Sequence, residues 1–151
     1  MKKIFLIVLP LLTSTIASAQ FVARMEVKEP IPGLCDEKEV YVMLPSFKGQ
    51  VEAVCPLTDE QIAEKLNSEV KFLKENPTYN DKGMMGLVIN CKGEVVKCAM
   101  DNETQSPELD IQIEAVFNNL GTWKAGKMKK REVDTSMLFS FVIENGVITL
   151  K

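Results

Sequence analysis

Two cysteines, Cys91 and Cys98, flank a lysine-glycine pair in the segment MMGLVINCKGEVVKC, residues 84–98. Sulfur atoms at this spacing could be metal ligands, a redox pair, a disulfide or only neighbours in a hairpin. If Lys92-Gly93 forms the hairpin turn, Cys98 lies opposite Leu87 and the two cysteines are four residues apart along the ladder. At about 3.3 Å per residue that separation is about 13 Å, well beyond the roughly 7 Å between Cα atoms that a disulfide allows. We therefore predict that Cys91 and Cys98 are not bonded to each other.

Histidine is absent from the chain, and this absence restricts its chemistry. Histidine is the usual base at neutral pH and the commonest metal ligand, so neither a Ser-His-Asp nor a Cys-His arrangement can form. A zinc ion at Cys91 and Cys98 would need two more nitrogen or sulfur ligands, and no C-x-x-C redox motif is present. We predict no catalytic residue, no metal site and no cofactor, and hence a protein that is not an enzyme.

The chain has four cysteines, and their positions favour one particular disulfide. Cys35 and Cys55 flank the first β-prone segment, and we predict a disulfide between them. Whether Cys91 and Cys98 are free thiols or are bonded to a distant cysteine stays open at the level of sequence.

The first residues are typical of a cleaved secretory signal peptide. Two lysines precede the apolar run Ile4 to Leu12, and Ala17-Ser18-Ala19 supplies the small residues of a cleavage site. The run is too short to span a bilayer, which needs roughly 18 or more apolar residues. We predict removal of residues 1–19 and a periplasmic protein without membrane insertion.

Charge limits the classes of partner. Removal of residues 1–19 takes away two lysines, which leaves 16 basic and 21 acidic residues and a net charge of −5. Nucleic acid and anionic membranes both attract basic proteins, so the balance argues against either as a partner. The remaining length suits one domain with one core.

The N-terminal half predicts a leader, a short β region and one helix. Residues 20–38 contain three proline or glycine breaks and are expected to be extended, and Glu39–Leu44 is β-prone. Thr58 and Gln61 form a capping box, which predicts a helix from Asp59 to about Lys74. Its apolar residues recur at helical spacing on one face, namely Ile62, Leu66, Val70 and Leu73.

The C-terminal half predicts a hairpin, a second helix and a long strand. Gly93 can take the positive φ that a tight turn requires, and Ser106-Pro107 begins a helix. Strand-forming residues run from Val133 to Ile148, interrupted by Asn145-Gly146. The apolar face of the second helix is expected to comprise Ile111, Ala115, Val116, Phe117 and Leu120. These elements predict an α+β fold in residues 39–151, with two helices on one face of a small antiparallel sheet in the order α-β-β-α-β after a short β segment.

Several short motifs, taken in order, give the chain a resemblance to a known family. Trp123-Lys124-Ala125-Gly126-Lys127 resembles the W-x-P-G-K motif in the C-terminal domain of TonB-type energy transducers, where it precedes the last strand. Other segments resemble further motifs of that domain in the same order: Leu44-Pro45-Ser46-Phe47-Lys48-Gly49, Phe72-Leu73-Lys74-Glu75-Asn76, Lys82-Gly83-Met84-Met85-Gly86 and Asn90-Cys91-Lys92-Gly93. Lys48, Gln50 and Ala125 depart from the family pattern. The long anchor and Pro-rich spacer of a transducer are not found.

The resemblance implies a protein-interaction domain that binds a partner's extended segment at an exposed edge strand. The implied partner is a segment of an outer-membrane receptor or transporter, and a second copy of the chain is another occupant for the same edge. The resemblance places this edge at the last strand, with binding residues Val133, Ser136, Met137, Leu138, Phe139, Ser140, Phe141 and Val142. Trp123, Gly126, Gly93, Cys35 and Cys55 are expected to be structural.

A second hypothesis comes from another functional class. The chain could be a secreted α+β module that binds a small ligand, or acts as an inhibitor, through a pocket between a helix and the sheet. A filled apolar pocket and a covered sheet edge would favour that module over the edge-binding domain.

Overall fold

The structure, a computed structural model, describes residues 22–44 and 46–151. The predicted signal peptide, residues 1–19, lies outside the described residues. The strands are β1 Ala23–Glu26, β2 Glu39–Val42, β3 Gln50–Val51, β4 Asp81–Ile89, β5 Val95–Asn102, β6 Gly126–Met128, β7 Arg131–Val133, β8 Thr135–Glu144 and β9 Val147–Leu150. The helices are α1 Asp59–Glu69, α2 Lys71–Glu75 and α3 Pro107–Asn118.

The main sheet has the strand order β1-β2-β8-β4-β5, with β9 paired to β8. All neighbouring strands are antiparallel except β2 and β8, which are parallel. A second, small sheet has the order β3-β6-β7. The predicted α+β class is confirmed, but the sheet is mixed rather than purely antiparallel and the described residues form three helices rather than two.

The first predicted helix is divided at Val70. The capping box of Thr58 and Gln61 is present, so the helix begins where the sequence predicts. Val70 then adopts an extended backbone (φ −74°, ψ 106°) and separates α1 from α2. This break buries Val70 completely and directs the Phe72 N–H to the side chain of Gln112 on α3, at 3.0 Å. Tertiary contacts therefore end a helix that local sequence would have continued.

The predicted apolar face of α3 is partly wrong. Ser106 caps the helix and Pro107 begins it, as expected. Ile111 is 67% exposed, and Ala115 is also exposed. Val116, Phe117 and Leu120 are buried as predicted, whereas Leu109 and Ile113 take the place of Ile111 and Ala115 on the buried face.

The β4–β5 hairpin turns one residue earlier than the two-residue turn considered above. Asn90 O accepts the Gly93 N–H at 2.9 Å, and the Asn90 N–H donates to Glu94 O at 2.9 Å. Cys91 and Lys92 are thus the central turn residues. Gly93 follows with φ +82°, the glycine position of a three-residue hairpin loop.

The core lies between the helix layer and one face of the main sheet. Its fully buried side chains come from both layers: Ile62, Leu66, Leu109, Ile113 and Phe117 from the helices, and Met85, Leu87, Ile89, Phe141 and Ile143 from β4 and β8. Trp123 is also buried in this core. The opposite face of the sheet carries residues of the other parity, among them Leu138, which is 58% exposed.

Candidate functional site: an open segment of strand β8

Strand β8, the predicted binding edge, has strand partners on both sides over part of its length. On one side β8 pairs with β4 along nine residues, from Thr135 to Ile143. On the other side it pairs with β2 at Thr135 and Ser136 and with β9 from Phe141 to Glu144. Most of its backbone is therefore satisfied within the chain.

The eight predicted binding residues differ in whether a neighbouring strand already pairs with them. Val133 belongs to β7 and is buried. Ser136 pairs with β2, whereas Phe141 and Val142 pair with β9. Between these pairings lie Met137, Leu138 and Phe139, which no described strand joins on that side; Ser140 borders them, and its carbonyl oxygen accepts the Lys151 N–H at 3.0 Å. We call Met137–Phe139 the open segment.

Strand parity determines which backbone groups of the open segment point outward. Tyr41 N–H donates to Asp134 O at 2.9 Å on the β2 side, and Lys151 N–H donates to Ser140 O at 3.0 Å on the β9 side. Backbone groups of alternate residues in a strand point the same way. The N–H and C=O of Leu138, midway between those two carbonyls, therefore face the gap between β2 and β9.

Side chains bond to outward backbone groups at two other strand edges, those of β5 and β9. At β5, the Met100 N–H donates to a carboxylate oxygen of Glu114 at 3.0 Å. At β9, Ile148 N–H donates to Asn67 Oδ1 at 2.9 Å, and Asn67 Nδ2 donates to Ile148 O at 2.8 Å. Natural sheets commonly protect edges in such ways. No side chain of the described residues covers the backbone of Leu138 in this manner.

An apolar groove of about 470 Å³ borders the open segment. One wall is the chain from Gln50 to Leu57, which includes β3 at the edge of the second sheet. The other wall is Met137 and Phe139. Val51 and Val54 are 51% and 50% exposed there. Local sequence does not indicate that Val51 and Val54 line a groove, because their exposure depends on where the second sheet lies.

Aromatic packing holds the inner wall of the groove in place. The Phe139 ring lies 5.3 Å from that of Phe117 and 6.0 Å from that of Trp123, measured between ring centroids. Gly126 lies so close to Thr135 that a Cβ atom would come within 2.4 Å of its methyl carbon. The predicted structural residues Trp123 and Gly126 thus lie behind the open segment rather than in it.

The disulfide joins Cys35 to Cys91, with 6.0 Å between their Cα atoms. The predicted Cys35–Cys55 bond is wrong, whereas the prediction that Cys91 and Cys98 are not bonded to each other is confirmed. Cys55 lines the apolar groove and Cys98 contacts Met85, and both are free thiols. The pairing could not be predicted from local sequence, because the two bonded residues are 56 positions apart.

Neither free thiol has the properties of a nucleophile. Burial raises the pKa of Cys55, and a hydrogen bond with the Leu57 backbone offsets this only in part. Burial, with the nearby Glu114 charge, raises the pKa of Cys98 to about 12. Both thiols therefore stay protonated at neutral pH, whereas reactivity requires the thiolate.

Asp134 is a buried carboxylate that joins three parts of the chain. It is 1% exposed and follows β7 directly. Its Oδ2 accepts the N–H groups of Cys35 and Asp36 at 2.8 and 2.7 Å, and its Oδ1 accepts that of Cys91 at 2.8 Å. The β1–β2 loop, the β4–β5 turn and the start of β8 therefore meet at one side chain.

Comparisons of the chain with family models, with curated proteins and with solved structures found no match. Within the described residues, no helix has the length and apolar character needed to cross a membrane.

Proposed function

We propose that this chain is a periplasmic protein-interaction domain, similar to the C-terminal domain of TonB-type transducers, that binds an extended segment of a partner at Leu138. The resemblance of motifs suggests that the partner segment belongs to an outer-membrane receptor or transporter. The segment would add a strand in the gap between β2 and β9. This mode of binding uses backbone hydrogen bonds for affinity and alternate side chains for selectivity.

The observation that carries the proposal is the contrast between the open segment and the edges of β5 and β9. Asn67 bonds to the outward backbone groups of Ile148 on β9 and Glu114 bonds to the N–H of Met100 on β5, whereas the backbone of Leu138 faces a gap. Exposed strand edges promote unwanted pairing and are usually blocked. An unblocked segment beside edges that side chains protect at β5 and β9 supports a binding role.

The groove beside the open segment gives the added strand a place for a side chain. Residues of a strand alternate between its two faces, so one partner side chain would enter the 470 Å³ groove lined by Val51, Val54 and Phe139. The next would lie beside Leu138 on the exposed face. The lining favours an apolar partner side chain in the groove, because its burial removes both its own apolar surface and that of the groove from water.

Substitutions at Leu138 test the proposal. A proline removes the outward N–H without breaking the ladder to β4, since the N–H of Leu138 does not point toward β4. A threonine removes the same leucine side chain but keeps the N–H. Peptides selected from a displayed random library against the wild-type domain serve as probes, and their Kd values are measured for the wild type, Leu138→Pro and Leu138→Thr.

We expect Leu138→Pro to weaken peptide binding at least about fivefold, the effect of losing one net hydrogen bond of about 1 kcal/mol. Leu138→Thr should change the Kd less than about twofold. Circular dichroism establishes that both variants are folded. Equal losses in the two variants would contradict strand addition and indicate a side-chain pocket, and unchanged binding in both would exclude the open segment.

In the alternative hypothesis, a small ligand would bind in a different groove. It has a volume of about 690 Å³ and lies between α1 and β9. Asn67 lines it and already bonds to Ile148 across it. Ala63→Glu, a substitution in this groove, should leave peptide binding unchanged if Leu138 is the site and abolish it if the α1–β9 groove is.

A further inference from the structure

Three side chains with metal-binding atoms converge beside the disulfide. The Sγ atoms of Cys35 and Cys91 and a carboxylate oxygen of Asp134 all lie within 4.8 Å of one another. In the oxidised chain the two sulfurs are bonded to each other. After reduction the same positions would hold two thiols facing a carboxylate.

The backbone keeps the two cysteines together without help from the sulfur-sulfur bond. Asp134 accepts N–H groups from both Cys35 and Cys91. Asn90, the residue before Cys91, donates its side-chain amide to Gly33 O at 2.9 Å. These three hydrogen bonds do not involve the sulfur atoms, so reduction would leave the thiols preorganised.

The spacing of the cysteines also suits a metal ion. Tetrahedral zinc with Zn–S bonds of about 2.3 Å requires sulfur atoms roughly 3.8 Å apart. A Cα separation of 6.0 Å allows either a bond between the sulfurs or, after small side-chain rotations, that wider spacing. Asp134 Oδ1 accepts a single N–H among the described residues, which leaves it an electron pair for a cation.

The cluster is open to an entering ion. A cleft of about 240 Å³ adjoins it, and its lining includes Tyr41, Arg131, Cys35, Cys91 and Asp134. The acids Asp36 and Glu132 also line the cleft and outnumber the single cation, Arg131. The cleft has room for water as the fourth ligand.

We propose that reduction of the Cys35–Cys91 disulfide creates a site for a thiophilic divalent cation such as Zn²⁺. The ligands are the two thiolates, the Asp134 carboxylate and a water molecule. A dithiol is the reductant: its two thiols become a disulfide, and Cys35 and Cys91 take up the two electrons and two protons. The cation then displaces those two protons, so the disulfide and the bound ion exclude each other.

Cobalt binding tests the site. The background variant is Cys55→Ser/Cys98→Ser, which removes the other two thiols. After phosphine reduction and removal of the phosphine, Co²⁺ is titrated while the thiolate-to-cobalt charge-transfer absorption is recorded. We expect one Co²⁺ per chain in the reduced protein, displacement by Zn²⁺, and no charge-transfer band in the oxidised protein.

Variants identify the ligands. Cys35→Ser and Cys91→Ser should each weaken Co²⁺ binding at least tenfold, and Asp134→Asn at least about tenfold. Asp36→Asn is the matched control: it removes a neighbouring carboxylate that is not in the cluster and should change affinity less than about threefold. If Asp134→Asn weakens binding no more than Asp36→Asn does, the proposed carboxylate ligand is wrong.

X-ray absorption of the cobalt complex counts the ligands directly, without any change to Cys35, Cys91 or Asp134. Two sulfur scatterers and two oxygen scatterers are expected in the Cys55→Ser/Cys98→Ser background. A sulfur count other than two, or no charge-transfer band on reduction, would overturn the proposal. Neither result bears on peptide binding at Leu138, because the proposed peptide site involves none of these ligands.

Discussion

Gly93 lies where the β4–β5 turn contacts the chain around Trp123. Its carbonyl oxygen accepts the Trp123 N–H at 2.9 Å, and its φ is +82°. A Cβ atom at this position would come within 2.0 Å of Trp123 O. The glycine is therefore required twice, once by the turn and once by the close approach of another backbone.

Gly93→Ala should lower the free energy of unfolding by more than about 2 kcal/mol, because left-handed strain of roughly 1–2 kcal/mol adds to a backbone clash. Gly49→Ala is the control, since Gly49 has φ +85° but its Cβ would meet no atom closer than 3.7 Å. Urea unfolding of both variants measures the difference. Equal destabilisation would mean that backbone strain alone accounts for the effect and that the contact with Trp123 can relax.

At the scale of elements, β9 is fixed to α1 through one amide side chain. Asn67 donates to the carbonyl of Ile148 and accepts its N–H, and it also donates to Ala63 O within α1. Asn67 of α1 thereby makes the two backbone hydrogen bonds that a neighbouring strand would otherwise make with Ile148. This pairing closes the edge of β9 and leaves the open segment of β8 as the unprotected stretch of that side of the sheet.

Asn67→Ala should destabilise the protein by about 1–3 kcal/mol, since it leaves the Ile148 N–H and C=O without partners. Asn118→Ala is the matched control, because Asn118 is an exposed amide on α3 that bonds only the Glu114 carbonyl among the described residues. Thermal and urea unfolding measure both variants. A loss in Asn118→Ala as large as in Asn67→Ala would show that the amide bond to the carbonyl four residues earlier, which both asparagines make, and not the edge contact, accounts for the change.

At the scale of the whole molecule, the disulfide and Asp134 link the N-terminal β1–β2 loop to the rest of the sheet. The Cys35–Cys91 bond spans 56 positions, and Asp134 bonds to residues 98 and 99 positions away along the chain. A cross-link over a loop of this length lowers the conformational entropy of the unfolded chain and so stabilises the folded one. The β1–β2 hairpin is therefore attached at two places. The strand β2 pairs with β8, and the disulfide and Asp134 hold the loop.

Cys35→Ser/Cys91→Ser should lower the free energy of unfolding by about 2–4 kcal/mol. Cys55→Ser/Cys98→Ser, which removes the same number of sulfurs without a cross-link, should cost less. Non-reducing peptide mapping of the wild type should give one linked pair, Cys35 with Cys91. Recovery of a Cys35–Cys55 peptide would contradict the disulfide in the structure.

Local sequence determined the starts of the helices and the hairpin. Thr58 with Gln61, Ser106 with Pro107, and Asn90 with Gly93 act over three residues or fewer, so their interactions form wherever the chain folds. The α+β class followed from these local patterns. The exclusion of histidine-dependent sites also followed from the sequence, because it depends only on which residue types are present.

Tertiary structure decided the disulfide, the division of the first helix and the location of the open segment. Each depends on residues far apart: Cys35 reaches Cys91, Phe72 reaches Gln112, and β2 reaches β8. Periodicity reports which residues share a face, but it does not report which strand lies beside which. Leu138 is the open position because β2 stops short of it on one side and β9 on the other, and only the folded sheet brings those two ends to the same strand.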